Sequence, residues 1–229
     1  MKIKPSGNMP NKTSSLLSEI DLSLLNGLMI DIDDTLYNYS ISHKAALNGC
    51  YKSLDPSIKK KLNFNDFTYE YTNARESITK KLSPQGSCRS RLFAFNLLFE
   101  KFEINSSYLL ALKFESIYWK EFIHAISPNK EILNFIKKCK KNNLTTCAVS
   151  DMQAHIQILK LKKLKLTNYI DHLVTSEEAG AEKPNKKIFD LALQRMKLSK
   201  DKVLMIGDNI TKDIKGAESY GIRAIYFKA

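Results

Sequence analysis

Residues 28–36 read Leu28-Met29-Ile30-Asp31-Ile32-Asp33-Asp34-Thr35-Leu36. A short apolar run that stops abruptly at carboxylates is the pattern of a strand buried on both faces, with its polar residues gathered at the C-terminal end. Residues 144–149 repeat the pattern and stop at Ser150-Asp151, and residues 203–206 repeat it and stop at Gly207-Asp208. A strand expected over 170–174 is followed by Gly180 and then by Lys183-Pro184. A last strand is expected over 222–227. Helical periodicity fills the gaps at 129–142, 152–165, 185–197 and 211–219. Strands separated by helices of about 10–15 residues require right-handed crossovers, so the predicted class is α/β with a parallel, doubly wound sheet. In such a sheet ligands bind beyond the carboxyl ends of the strands, where the four polar groups lie.

The segment between the first strand and Pro128 reads differently. Residues 40–125 show helical periodicity and no period-two strand, with Ser42, Asp66, Ser90 and Ser106 or Ser107 as expected N-caps. The predicted organisation is a loose, polar N-terminal tail over 1–20, a core from 21–38 and 127–229, and an inserted α-helical cap over 39–126.

Composition narrows the function classes. The chain has 229 residues with 43% hydrophobic and 26% charged, an ordinary globular mix that suits one large domain or a domain carrying a smaller insertion. No apolar run approaches the ~18 residues of a membrane span. The N-terminus carries lysines without an apolar segment after them, so a cytoplasmic protein is expected. Cys50, Cys88, Cys139 and Cys147 lack metal-ligand spacing and read as reduced, buried side chains. The net charge is 36 − 24 = +12, but 31 of the 36 basic residues are Lys and are spread along the chain. Base readout favours Arg forks, so nucleic acid is not the expected partner; an anionic small molecule is.

Taken together and in this order, Asp31-x-Asp33-Asp34-Thr35, Ser150-Asp151, Lys183-Pro184 and Gly207-Asp208-x-x-x-x-Asp213 resemble the haloacid dehalogenase superfamily of phosphohydrolases, from residue 27 to the C-terminus. The one departure is Ile30, a packing position where the family often has Phe. The resemblance implies that Asp31 is the nucleophile, forming an aspartyl-phosphate, and that Asp33 protonates the leaving oxygen and then deprotonates the attacking water. Carboxylate against phosphate sets like charge against like, which calls for a cation. Mg²⁺ with oxygen ligands suits the role. The family pattern puts the Asp31 and Asp208 carboxylates and the Asp33 backbone carbonyl on it. Lys183 would neutralise phosphate and nucleophile, and Ser150 would donate to the phosphoryl oxygens. Thr35 reads equally as a phosphate neighbour or a turn and helix cap. Asp213 would stand behind the site, holding Lys183 or a metal-bound water. Asp34 reads as a turn residue. Lys160, Lys162, Lys163 and Lys165 crowd a helix C-terminus and complement its dipole, with no further role expected.

The insert, in turn, is similar to the small helical caps of the superfamily. The run from Arg91-x-x-x-Phe95 through Tyr118-Trp119 to Pro128 resembles the nucleotide and acylneuraminate phosphate phosphatases. Arg75, Arg89 and Arg91 are the candidates for contacting a polar leaving group, Arg91 first. The expected activity is Mg²⁺-dependent hydrolysis of a small organic phosphate, a nucleoside monophosphate or a sugar phosphate, by a monomer or homodimer. A phosphomutase shares the same site. A 2-haloacid dehalogenase is disfavoured by the presence of Asp33, and a non-catalytic anion- or nucleic-acid-binding protein would show erosion of the four motifs.

Overall fold

A computed structural model describes residues 17–60 and 62–229. The expected tail therefore falls almost wholly outside the described residues. Five parallel strands form one sheet in the order β3-β2-β1-β4-β5: β1 Gly27–Ile30, β2 Thr145–Ser150, β3 His172–Thr175, β4 Val203–Gly207 and β5 Arg223–Tyr226. β1 lies at the centre and all four of its residues are buried. Its alternation explains why an unbroken apolar run was needed. Leu28 and Ile30 join one core with Ala148, Leu204, Ile206 and Ile132, whereas Met29 joins a second with Cys147, Val149, Met205 and Phe189 on the opposite face.

Helices cover both faces. In the insert they are α1 Tyr39–Lys52, α2 Pro56–Lys59, α3 Phe64–Leu82, a 3₁₀ turn Gly86–Arg89, α4 Arg91–Lys101 and α5 Ser107–Ala125. Then follow α6 Lys130–Lys141, α7 Ala154–Lys163, a short α8 Ser176–Ala179 and α9 Lys186–Met196. The insert packs chiefly on itself, α1 and α4 both against α5, through buried Phe95, Phe99, Phe114 and Phe122. Its two connections run side by side: Tyr37 bridges Pro128, and the Asn129 amide donates to the Leu36 carbonyl at 2.9 Å. All four cysteines are buried and unpaired. No described helix is long and apolar enough to cross a membrane.

Several local expectations need correction. Ser42 does not cap α1; it is buried within that helix, and Asn38 accepts from the Ile41 amide at 3.2 Å. Asn63, not Asp66, caps α3, and Asp66 accepts from the Asn63 side chain at 2.6 Å. Ser90 caps α4 as expected. The helix expected over 211–219 divides into a π-type turn Ile210–Lys215 and α10 Gly216–Ser219. The wide turn arises because the amides of Asp213 and Ile214 both donate to the Asn209 carbonyl, which folds the Asp213 side chain back toward the sheet.

Candidate active site

The strand register decides what meets. Ile30 is level with Ala148 on β2 and Ile206 on β4, so Asp31, Ser150 and Asp208 leave the sheet along one edge. There they line a cavity of about 230 Å³ with Asp33, Asp34, Lys183 and Asp213. Arg89, Asp151, Asn209 and Lys212 complete the wall. A larger cleft of about 650 Å³ lies at the opposite, N-terminal ends of the strands, beside Leu25, Leu204 and Ile222, away from this chemistry.

Lys183 is buried at the bottom of the cavity. Its ammonium lies 2.6 Å from Asp31, 2.6 Å from Asp213 and 2.8 Å from the Val149 carbonyl. Although burial disfavours its charge, Asp31 and Asp213 raise its pKa and hold it cationic. The backbone amide of Lys183 donates to Asp151 at 2.8 Å, which anchors the loop carrying it. Gly207 makes room for Asp213: a Cβ there would stand 2.4 Å from the Asp213 Cγ. Thr35 does not line the cavity. It is buried behind Asp31 and donates to that carboxylate at 3.3 Å. Asp34 holds the turn in a left-handed conformation, φ 59°, and accepts from the Tyr39 amide at 2.9 Å.

Asp31, Asp208 and Asp213 each offer a carboxylate oxygen within 4.8 Å of the others. Burial pushes Asp31 up to about 7, against the pull of Lys183, and burial with Asp34 and Asp213 nearby pushes Asp208 up to about 6. Six carboxylates line the cavity against the three cations Arg89, Lys183 and Lys212. A surplus of clustered oxygen anions of this kind suits a hard divalent cation. The Asp33 side chain is turned elsewhere. It accepts from Lys160 at 2.6 Å, from Gln157 at 3.2 Å and from the Tyr37 hydroxyl. Burial alone would raise it, but Lys160, Tyr37 and Gln157 hold it below the usual carboxylate range. Gln157 also donates to the Ser150 hydroxyl at 2.5 Å.

Arg91 does not reach the cavity. It is 3% exposed, 5.5 Å from the Tyr118 ring and 5.2 Å from the Trp119 ring, and donates to the Tyr39 hydroxyl and the Arg89 carbonyl. As the first residue of α4 it points into the aromatic interior of the insert. Arg89, on the preceding 3₁₀ turn, lines the cavity instead. It makes a two-pronged ion pair with Glu182, 2.6 Å on each prong, and Lys212 bridges Glu182 and Asp151 at 3.0 and 2.7 Å. Sequence reasoning missed Lys160 and Gln157. The available signal was their place on the buried stripe of α7: Lys160 is four residues after Ile156 and four before Leu164, both buried.

The polar groups converge beyond the C-terminal edge of a parallel sheet, the place where ligands of open α/β folds bind. The chain belongs to the haloacid dehalogenase-like hydrolase family, whose profile matches residues 28–227. It is 25% identical over 206 residues to a ribulose-1,5-bisphosphate 5-phosphatase of Halopiger xanaduensis, covering 89% of this chain and 85% of that one. It is 30% identical over 207 residues to a glyceraldehyde 3-phosphate phosphatase of Methanothermobacter thermautotrophicus, covering 88% and 85%. A solved structure of a 2-haloacid dehalogenase from Pseudomonas syringae shares the fold with a TM-score of 0.72 at 20% identity, over 88% of this chain and 86% of that one. The chain is an enzyme of this family, with relatives that are phosphatases.

Proposed function

We propose that the protein is a Mg²⁺-dependent phosphomonoesterase for a small, hydroxylated phosphate ester. The observation that carries this reading is Lys183 set between Asp31 and Asp213, in a cavity where Asp31, Asp208 and Asp213 converge within 4.8 Å. Asp31 is the nucleophile. Its oxygen attacks phosphorus as the ester P–O bond breaks, while Asp33, having first taken a proton from solvent, delivers it to the leaving oxygen. Water then attacks phosphorus, Asp33 takes its proton, and the Asp31 carboxylate is regenerated. Lys183 and the Ser150 hydroxyl stabilise the transferring oxygens. Asp31, Asp208 and the Asp33 carbonyl would hold Mg²⁺, which would supply the positive charge that lets two anions meet, while Asp213 holds Lys183. Residues 39–126 act as a cap, with Arg89 reaching from it to the cavity.

The wall argues about the leaving group. Every residue lining the cavity is polar or charged, so there is no apolar or aromatic face on which a nucleobase could stack. The volume of about 230 Å³ is below the usual small-molecule range of about 300–1,000 Å³. Both features favour a sugar or polyol phosphate over a nucleoside monophosphate, in keeping with the two sugar-phosphate phosphatases among its relatives. The test is phosphate release from p-nitrophenyl phosphate, triose and pentose phosphates, glycerol phosphate and nucleoside monophosphates, with Mg²⁺ and with excess chelator. Activity is expected with Mg²⁺ only, with kcat/KM at least about tenfold higher for the best sugar phosphate than for any nucleotide. Full turnover in chelator would overturn the metal assignment, and a nucleotide preference would overturn the substrate class.

A further inference from the structure

Lys160 is 0% exposed, yet it carries a charge into the seam between the insert and the core. Its ammonium lies 5.9 Å from the Tyr37 ring, 5.7 Å from Trp119 and 5.3 Å from Phe122. Trp119 and Phe122 belong to α5 of the insert, so the cap roofs this side chain. Among the described residues, the carboxylate it pairs with is that of Asp33, at 2.6 Å. A buried ion pair of this kind is weak evidence for stability, because apolar side chains in place of both partners often serve the fold as well or better. On the buried stripe of α7, Lys160 and Gln157 are the polar residues among the aliphatic Ile156 and Leu161. What the lysine does that an aliphatic residue cannot is hold Asp33 in place. Asp33 stands in a loop just beyond a strand end, where a carboxylate would otherwise sample several rotamers. Lys160 and Tyr37 take one of its oxygens and Gln157 takes the other, while Gln157 also holds Ser150.

We infer that Lys160 is a positioning residue of the phosphatase reaction: from beneath the cap it fixes the Asp33 carboxylate on the cavity wall, in register with Ser150. This rests on the reading that Asp33 moves the protons. A displacement of about 1 Å in a proton-transfer group is enough to cost on the order of 10²-fold in rate. Binding of the phosphate depends on Lys183, Ser150 and the metal, so substrate affinity should be largely spared.

The test is a double-mutant cycle on p-nitrophenyl phosphate with Mg²⁺, using wild type, Lys160→Met, Asp33→Asn and the double variant. This substrate has a good leaving group, which keeps the Asp33→Asn background measurable. Lys160→Met should lower kcat about tenfold or more while changing KM less than about threefold, and in the Asp33→Asn background it should lower kcat less than about twofold. Equal losses in both backgrounds, or no loss in the wild-type background, would overturn the inference. Lys160→Gln takes the place of Lys160→Met if the latter does not fold, and failure of both to fold would show a purely structural lysine. Absence of Mg²⁺-dependent phosphate release from the wild-type protein is a different result: it overturns the phosphatase reading itself.

Discussion

At the scale of single residues, Lys183 and Asp31 form the pair on which the rest of the site depends. The ammonium is buried, and it stays charged because two carboxylates and a carbonyl surround it. Asp31→Asn keeps nearly the same volume but removes the carboxylate proposed as nucleophile and one of Lys183's two anionic partners. Phosphate release by Asp31→Asn should fall by three orders of magnitude or more, a magnitude set by loss of the covalent step. A loss of less than tenfold would contradict the role. The two neighbouring arginines separate cleanly. Arg91→Ala removes a cation from a cage of Tyr118 and Trp119 and takes one donor from the Tyr39 hydroxyl. The expected result is destabilisation by about 2–4 kcal/mol in denaturant unfolding, with kcat of the folded protein within about twofold of wild type. A normal midpoint with altered substrate preference would return Arg91 to the role its sequence position suggested.

At the scale of elements, the fourth strand and the turn after it work as a unit. β4 ends at Gly207, and the π-type turn that follows carries Asp213 back over that glycine. The carboxylate can sit there only because no Cβ intervenes. Gly207→Ala would place a methyl group 2.4 Å from the Asp213 Cγ, so either the strand end or the acid must move. We expect a stability loss of about 1–3 kcal/mol, typical of overpacking, together with a loss of kcat of at least tenfold as Lys183 is displaced. Denaturant midpoints and steady-state rates measured together decide the matter. An active, fully stable Gly207→Ala would show that the turn relaxes freely.

At the scale of the whole molecule, Glu182 ties the insert to the core. Glu182, next in sequence to Lys183, accepts both prongs of Arg89 from the insert and one bond from Lys212 of the core. Burial pushes Glu182 upward, but the two cations outweigh it and hold it down at about 2, against an ordinary 4.5. A depressed carboxylate stabilises the fold fully above its unfolded pKa and loses that contribution as pH falls toward its folded one. The window here is therefore from about pH 5 to about pH 2. Allowing for solvent screening, the contribution is on the order of 1–2 kcal/mol. Glu182→Gln should melt below wild type at pH 6–7, and the gap between their Tm values should narrow steadily between pH 5 and 3. A gap independent of pH would mean that the ion pair contributes no net electrostatic stabilisation.

The chain's sequence by itself determined the order of strands and helices, the parallel sheet and the identity of the strand-end groups. That was possible because these signals are local: an apolar run that stops at an acid, a helix-length gap, a lysine before a proline. It also predicted helices without a strand between the first and second strands, as observed. What only the tertiary structure decided were contacts between residues far apart in the chain. Lys160 read as one of four lysines at a helix end, and its meeting with Asp33, 127 positions away, follows from β1 and β2 lying side by side, which sets α7 beside the loop after β1. Arg89 and Arg91 are two residues apart, and the sequence favoured the wrong one for the cavity. The bend between a 3₁₀ turn and a helix sends one to Glu182 and the other into the aromatic core. The π-type turn that brings Asp213 to Lys183 was also hidden, because its width comes from a shared carbonyl and a missing Cβ rather than from any hydrophobic period. Periodicity reports which face of an element is buried. Which partner waits there is set by how the elements pack.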